Sequence, residues 1–157
     1  MTGWRVGYAA GPEEIISAMV KFQGHVTAHI NSIAQKGAIE ALTGPQEMIK
    51  TMCKEYNRRR DYIVKKLNSI SGISCNSPDG AFYVFPNITK LYGARLGDRI
   101  INNEMDVVNY ILEKAHVAVV PGEAYNYPNH IRLTFAISID NIKEGLNRVE
   151  KAIKQLN

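Results

Sequence analysis

The chain has 157 residues, of which 45% are hydrophobic and 22% are charged, a balance typical of folded globular proteins and not of disordered or fibrous ones. The formal net charge of +4 is too small and too evenly spread to indicate a nucleic-acid-binding protein. We expect a cytoplasmic protein, because no apolar run approaches the ~20 residues of a membrane-spanning helix, the first residues lack a signal-peptide pattern, and Cys53 and Cys75 form no disulfide framework or metal motif.

The first predicted element is a strand over residues 3–10, where the side chains alternate between two faces. Arg5 lies on the face that otherwise carries only small residues, so a ligand or another backbone can approach it closely. The Gly11-Pro12 pair ends this strand. The apolar periodicity that follows predicts one helix to about residue 22 and a second helix over residues 28–42.

The longest periodic segment predicts a helix from Pro45 to about Ser69, directly after a Thr43-Gly44 pair that ends the preceding helix. A basic cluster, Arg58 to Arg60, lies partly off the apolar face of this helix. We interpret the cluster as a solvated or acid-paired surface.

After Gly72 the period changes from helical to alternating, which predicts short strands separated by turns and helices. The predicted strands cover residues 73–75, 81–85, 117–120 and 131–138. The last of them has a core face formed by Ile131, Leu133, Phe135 and Ile137. We expect a loop or short helical turn over residues 91–103, a helix over residues 105–115, and a final helix that begins near Asp140 as its N-cap.

The alternation of helices and strands after Pro45 predicts an α/β domain, with a sheet covered by helices. The residues before it, expected to form one strand and two helices, cannot close a core alone, and the strand would have an unpaired edge. This asymmetry predicts a chain that begins in the middle of something larger, with domains over residues 1–44 and 45–157.

Two arginines are the candidate binding residues. Arg5 among its small neighbours, and Arg132 on the non-core face of the last predicted strand, can each present a guanidinium fork to a phosphate or carboxylate. For each, the competing interpretation is a surface cation paired with a nearby acid. No nucleophile or metal-ligand set accompanies them, so a reactive group would have to come from elsewhere.

Seven motifs, in order along essentially the whole chain, resemble those of class I pyridoxal-phosphate aminotransferases of fold type I, nearest to the aspartate aminotransferase branch. They are Met1 to Pro12, Ser32 to Gln35, Gly44 to Gln46, Arg59 to Asp61, Asp79 to Pro86, Val120 to Gly122, and Ile131 to Ala136. One departure is Tyr125-Asn126, where the family usually has Phe-Gly; Asn tolerates a left-handed backbone, so the turn is expected to survive.

The resemblance implies that Arg5 holds the phosphate of pyridoxal 5'-phosphate and that Arg132 pairs with the substrate α-carboxylate. It implies a homodimeric enzyme that moves an amino group between an amino acid, aspartate-like, and a 2-oxo acid. Residues 1–44 would then be a remnant of the large cofactor-binding domain, and residues 45–157 the α+β small domain.

The Schiff-base lysine of the family lies four residues before the position of Met1, so the resemblance places no catalytic residue in these 157 residues and implies that the chain alone is inactive. An alternative from another class is a non-catalytic module that uses Arg5, Arg132 and the basic cluster to hold anions or a protein partner. Nucleic-acid binding is a third alternative, which would require a steep dependence of affinity on salt.

Overall fold

The computed structural model describes residues 1–97 and 99–156. It divides the chain into two compact units, Met1–Ile49 and Lys50–Asn157. Asp98, inside the predicted loop, and Asn157, at the end of the predicted small domain, lie outside the described residues.

The first unit contains a short 3-10 helix, Thr2–Trp4, and two α-helices, α1 (Glu13–Val26) and α2 (Ser32–Thr43). The predicted strand over residues 3–10 is wrong, because the residues between the 3-10 helix and α1 form no strand. A strand needs a hydrogen-bonded neighbour, and the described residues 1–49 contain no other strand to pair with it.

The two predicted helices of this unit are confirmed with shifted ends. α1 continues past residue 22 through Gly24, and its last turn is closed by a hydrogen bond from the Thr27 amide to the Gln23 carbonyl. α2 begins four residues later than predicted, because the Asn31 side chain accepts hydrogen bonds from the amides of Ile33 and Ala34 and so caps the helix there.

The remaining helices are α3 (Glu47–Asn68), α4 (Glu104–Ala115) and α5 (Ile139–Ile153), all close to their predicted ranges. The predicted N-cap of α5, Asp140, is wrong. Ser138 caps this helix instead, since its hydroxyl accepts a hydrogen bond from the Asn141 amide.

A small antiparallel sheet lies beside these helices in the second unit. It consists of β1 (Tyr83–Val84), β4 (Val120–Pro121) and β5 (Ile131–Thr134), with β5 in the centre. The chain between β1 and β4 also forms a separate hairpin of β2 (Arg95–Leu96) and β3 (Arg99–Ile100), where the sequence pattern predicts a loop or helical turn.

The strands are shorter than their patterns predict. The predicted strand over residues 73–75 is reduced to a single bridge between Ser74 and Asn87. β5 ends at Thr134 because the hydroxyl of this residue accepts a hydrogen bond from the Ala136 amide and turns the chain toward α5. Ile137, predicted to face the core, is therefore 41% exposed.

The hydrophobic core lies in the second unit, where α3, α4 and α5 pack with the sheet. Its most deeply buried side chains are Ile63, Leu67, Val84, Ile88, Ile101, Val107, Tyr110, Ile111, Ile131, Phe135 and Val149. This unit has an α+β architecture, as predicted for residues 45–157. None of the helices in residues 1–97 and 99–156 is long and apolar enough to span a membrane.

Candidate functional site

Arg132 is the second residue of β5, the central strand of the sheet. Its strand neighbours Ile131 and Leu133 are buried in the core, whereas Arg132 is half-buried on the opposite face, as the alternation predicts. β4 and β1 flank it, with Val120 paired directly opposite Arg132 and Tyr83 paired with the next residue on the same face, Thr134. The sheet therefore fixes the backbone of Arg132 from both sides.

Two tyrosine rings flank the guanidinium of Arg132. The Arg132 Cζ atom lies 4.4 Å from the ring centroid of Tyr83 and 4.7 Å from that of Tyr125. These contacts are cation–π interactions, which restrict where the guanidinium can lie. A cation–π contact does not require the N–H groups as hydrogen-bond donors, so they can still donate to a ligand.

Within residues 1–97 and 99–156, no carboxylate lies within ion-pair distance of Arg132. The predicted acid pairing of the basic cluster, in contrast, is confirmed. Arg58 and Arg59 both donate to Glu55 at 2.8 Å, and Arg60 lies 2.9 Å from Asp61.

The pKa of Glu55 reflects this pairing. Hydrogen bonds from Arg58 and Arg59 lower it from 4.5 to about 2, although the carboxylate stays accessible to water. Two acids, Glu55 and Asp61, thus balance two of the three positive charges of the basic cluster.

The position of Tyr125 depends on a tight loop between β4 and β5. The Gly122 amide donates to the His130 carbonyl at 2.7 Å, and the Tyr127 amide donates to the Gly122 carbonyl at 3.1 Å. Asn126 adopts a left-handed backbone with φ of 55°, so the turn survives the departure from Phe-Gly, as predicted.

Further aromatic side chains surround this loop. The Phe85 ring meets the rings of Tyr125 and Tyr127 edge-on, with centroids 5.7 Å and 6.3 Å apart, and the Tyr127 ring lies 4.4 Å from that of His130. The sequence pattern places Tyr83 and Phe85 on one strand face. It does not predict which strand pairs with it, so neither tyrosine next to Arg132 is found from sequence alone.

Arg5 lies in the first unit, in the turn that follows the 3-10 helix. Its side chain is exposed and its backbone is left-handed, with φ of 52°, so the residue does not alternate along a strand as predicted. The expected open surroundings are present, because a Cβ atom added at Gly3 or at Gly7 would meet no atom within 4 Å.

The family of the chain follows from comparison with known sequences. A model of the family described as aminotransferase class I and II matches residues 1–149. The chain belongs to this family. The match covers both the segment around Arg5 and the sheet that carries Arg132.

Individual relatives of the chain include aminotransferases that are named for aspartate. The aspartate aminotransferase of Rhizobium meliloti (strain 1021) is 41% identical over 158 residues, which cover all of this chain and 38% of that protein. The aspartate/prephenate aminotransferase of Nitrosomonas europaea is 42% identical over 151 residues, which cover 95% of this chain and 38% of that protein.

A solved structure agrees with these relatives. The crystal structure of the aspartate aminotransferase from Rhizobium meliloti superposes with a TM-score of 0.94 at 41% identity, covering 100% of this chain and 40% of that chain. The predicted family and fold class are thus confirmed. The chain spans about two fifths of the length of these relatives.

Proposed function

We propose that the whole protein is a pyridoxal-phosphate-dependent aminotransferase, in which Arg132 binds the α-carboxylate of the amino-acid substrate and Arg5 binds the cofactor phosphate. The observation that carries the proposal is the setting of Arg132. Its guanidinium lies over two tyrosine rings and has no carboxylate partner in the described residues.

The setting of Arg132 suits a carboxylate ligand for electrostatic and geometric reasons. A guanidinium fork pairs with a carboxylate through two parallel charge-assisted hydrogen bonds, which fix the orientation of the bound molecule as well as its affinity. The partial burial of Arg132 lowers the screening by water and strengthens this pairing. A substrate amino acid or 2-oxo acid would thus be bound by the carboxylate group that both classes of substrate share.

The surroundings of Arg5 fit a phosphate group. A phosphate needs cationic donors and room for its oxygens. Arg5 carries a guanidinium, and the side-chain positions of Gly3 and Gly7, two residues away on either side in the sequence, are open space. Bound pyridoxal phosphate supplies an electron sink that stabilises negative charge at the substrate α-carbon. The contribution of Arg5 is to hold the phosphate and thereby orient the cofactor.

The substrate class and the assembly are part of the same proposal. The names of the relatives support an aspartate-like amino acid and a 2-oxo acid as substrates, since both are aminotransferases that use aspartate by name. The resemblance in motifs supports a homodimer in the cytoplasm. The division into two compact units supports two domains, which we assign as the large cofactor-binding domain over residues 1–44 and the small domain over residues 45–157, although the units divide after Ile49 and not after residue 44.

The test compares Arg132→Ala, Arg132→Lys and Arg5→Ala in the whole protein. Arg132→Ala should raise KM for the amino acid and lower kcat/KM by about 100-fold, because a bidentate charged pair contributes about 3 kcal/mol, while cofactor retention stays unchanged. Arg132→Lys should recover only part of the loss, since a lysine cannot reproduce the fork. Arg5→Ala should instead weaken cofactor retention, measured from the absorbance that survives dialysis.

Three outcomes would contradict, in turn, the two site assignments, the expected position of the lysine and the proposed activity. If both alanine variants lost only thermal stability and kept KM and cofactor retention, the two anion sites would be wrongly assigned. The 157-residue chain can also be supplied with pyridoxal phosphate, L-aspartate and 2-oxoglutarate. If it catalysed transamination by itself, the expectation that the Schiff-base lysine lies outside it would be wrong. If the whole protein bound anions but showed no aminotransferase turnover, the result would favour the alternative of a non-catalytic binding module.

A further inference from the structure

Glu104 is the one charged side chain that is buried in the part of the chain that the structure describes, with 6% of its surface exposed. It is the first residue of α4, directly after the N-cap Asn103, whose side chain accepts the Asp106 amide. The positive end of the helix dipole therefore lies next to the Glu104 carboxylate and offsets part of the cost of its burial. The sequence pattern gives no sign of this residue's environment.

Both carboxylate oxygens of Glu104 accept hydrogen bonds from the loop between β4 and β5. Oε1 accepts the amide of Glu123 at 3.0 Å, and Oε2 accepts the amide of His130 at 3.2 Å. These two amides belong to opposite ends of the loop. Among the side chains that the structure describes, no cation lies within ion-pair distance of Glu104, so its described partners are these backbone donors.

The two bonded amides adjoin the residues of the carboxylate site. Glu123 precedes Tyr125 by two positions in a short 3-10 helix, Gly122–Tyr125, and His130, just before β5, precedes Arg132 by two positions. A carboxylate that bonds both ends of the loop adds a restraint on the positions of Tyr125 and Arg132, beyond the backbone hydrogen bonds that close the loop. Without it, two amide donors at the loop ends would lose their acceptors.

We propose that Glu104 is a positioning residue for the Arg132 site: its carboxylate joins the two ends of the 122–130 loop and so holds the Tyr125 ring against the guanidinium that receives the substrate carboxylate. The inference rests on the proposed role of Arg132. It assigns to Glu104 no contact with substrate or cofactor.

The chemistry of the carboxylate makes Glu104→Gln a sharp variant. Glutamine keeps the length and shape of the side chain but replaces one acceptor oxygen with an NH2 donor, which would face a backbone N–H. One end of the loop is then released while the other stays bonded. Glu104→Asp keeps both acceptors and the charge on a side chain shorter by one methylene, which bonds one end of the loop at a time.

The experiment measures steady-state kinetics and amide hydrogen exchange in the whole protein. Glu104→Gln should raise KM for the amino-acid substrate about 10-fold, leave kcat within about 2-fold, and speed exchange at the Glu123 or His130 amide. Glu104→Asp should give a smaller rise in KM. The matched control is Glu144→Gln on α5, whose exposed carboxylate lies 3.9 Å from Arg148 and should change none of these quantities.

A double-mutant cycle with Tyr125→Leu separates positioning from general stability. If Glu104 acts through the Tyr125 ring, the two substitutions together should raise KM by less than the product of their separate effects. Faster amide exchange with an unchanged KM in both Glu104 variants would overturn the inference and leave Glu104 a structural residue. An unchanged KM in Arg132→Ala would instead overturn the proposed function, so the two failures are distinguishable. If Glu104→Gln does not fold, the Glu104→Asp variant decides.

Discussion

The backbone of the β4–β5 loop leaves no room for a side chain at Gly122. A Cβ atom there would lie 2.2 Å from the Tyr127 carbonyl oxygen and 2.7 Å from that of His130. The His130 carbonyl accepts the Gly122 amide and the Tyr127 amide donates to the Gly122 carbonyl, so neither peptide group can move away without straining a hydrogen bond that closes the loop. At this residue the constraint is close approach of backbone to backbone.

We predict that Gly122→Ala destabilises the chain by about 2 kcal/mol or more, because an overpacked site must shift its backbone. The measurement is urea unfolding of the variant beside the unaltered chain. Gly80→Ala is the matched control, since a Cβ there would meet no atom within 4 Å and the change should cost little. Equal effects of the two substitutions would show that the loop yields freely.

Among the secondary-structure elements, α3 and α5 are linked by one carboxylate that pairs with two lysines. Glu150 of α5 lies 2.5 Å from the Lys66 ammonium of α3 and 2.9 Å from that of Lys154, the C-cap residue of α5. The hydrogen bonds from Lys66 and, to a smaller extent, from Lys154 lower the pKa of Glu150 from 4.5 to about 2. A second link, from the buried Tyr110 hydroxyl of α4 to the Ala152 carbonyl at 2.7 Å, connects the same helix to α4.

The depressed pKa of Glu150 predicts a contribution to stability that depends on pH. The contribution of Glu150 to the free energy of unfolding is fully present above about pH 4.5 and is lost as the pH falls toward about 2. The reason is that Glu150 takes up its proton at a higher pH in the unfolded chain than in the folded one. The difference in unfolding free energy between the unaltered chain and Glu150→Gln should therefore shrink over this range. Glu144→Gln, on the same helix, serves as the control. A difference that stays constant down to about pH 2 would contradict the prediction.

Over the whole molecule, the buried hydrophobic side chains are distributed unequally between the two units. Among the described residues, those of Met1–Ile49 include one buried hydrophobic residue, Ala34, whereas the core cluster belongs to the second unit. The first unit instead exposes large apolar side chains, such as Tyr8 at 78% and Phe22 at 72%. Burial of apolar surface is the main stabilising contribution to folding, so the two units should differ in local stability.

We therefore predict that amide hydrogen exchange in the 157-residue chain is fast in α1 and α2 and slow in α4 and α5. Their helical hydrogen bonds are alike, and the difference comes from the packing that opposes local opening. Mass spectrometry of exchanged peptides measures it, and limited proteolysis should cut first within residues 1–49. Equal protection of all four helices would show that the first unit is stabilised by interactions other than a buried core.

Most of the helical part of this fold could be predicted from its sequence, whereas the strands could be predicted less well. Apolar periodicity indicates α3, α4 and α5 within a few residues, because a helix satisfies its hydrogen bonds locally. A strand depends on a partner, so the alternation over residues 3–10 gives no strand, and the β2–β3 hairpin was missed.

The candidate site, too, has features that the sequence predicts and features that depend on tertiary contacts. The sequence alone determines the family, the presence of two candidate anion-binding arginines, and the face of β5 on which Arg132 lies, since side chains alternate along a strand. Only the tertiary structure decides that Tyr83 and Tyr125 flank Arg132 and that Glu104 holds the loop ends. These residues come from four separate segments, and the strand register and loop closure that bring them together depend on contacts between residues far apart in the chain.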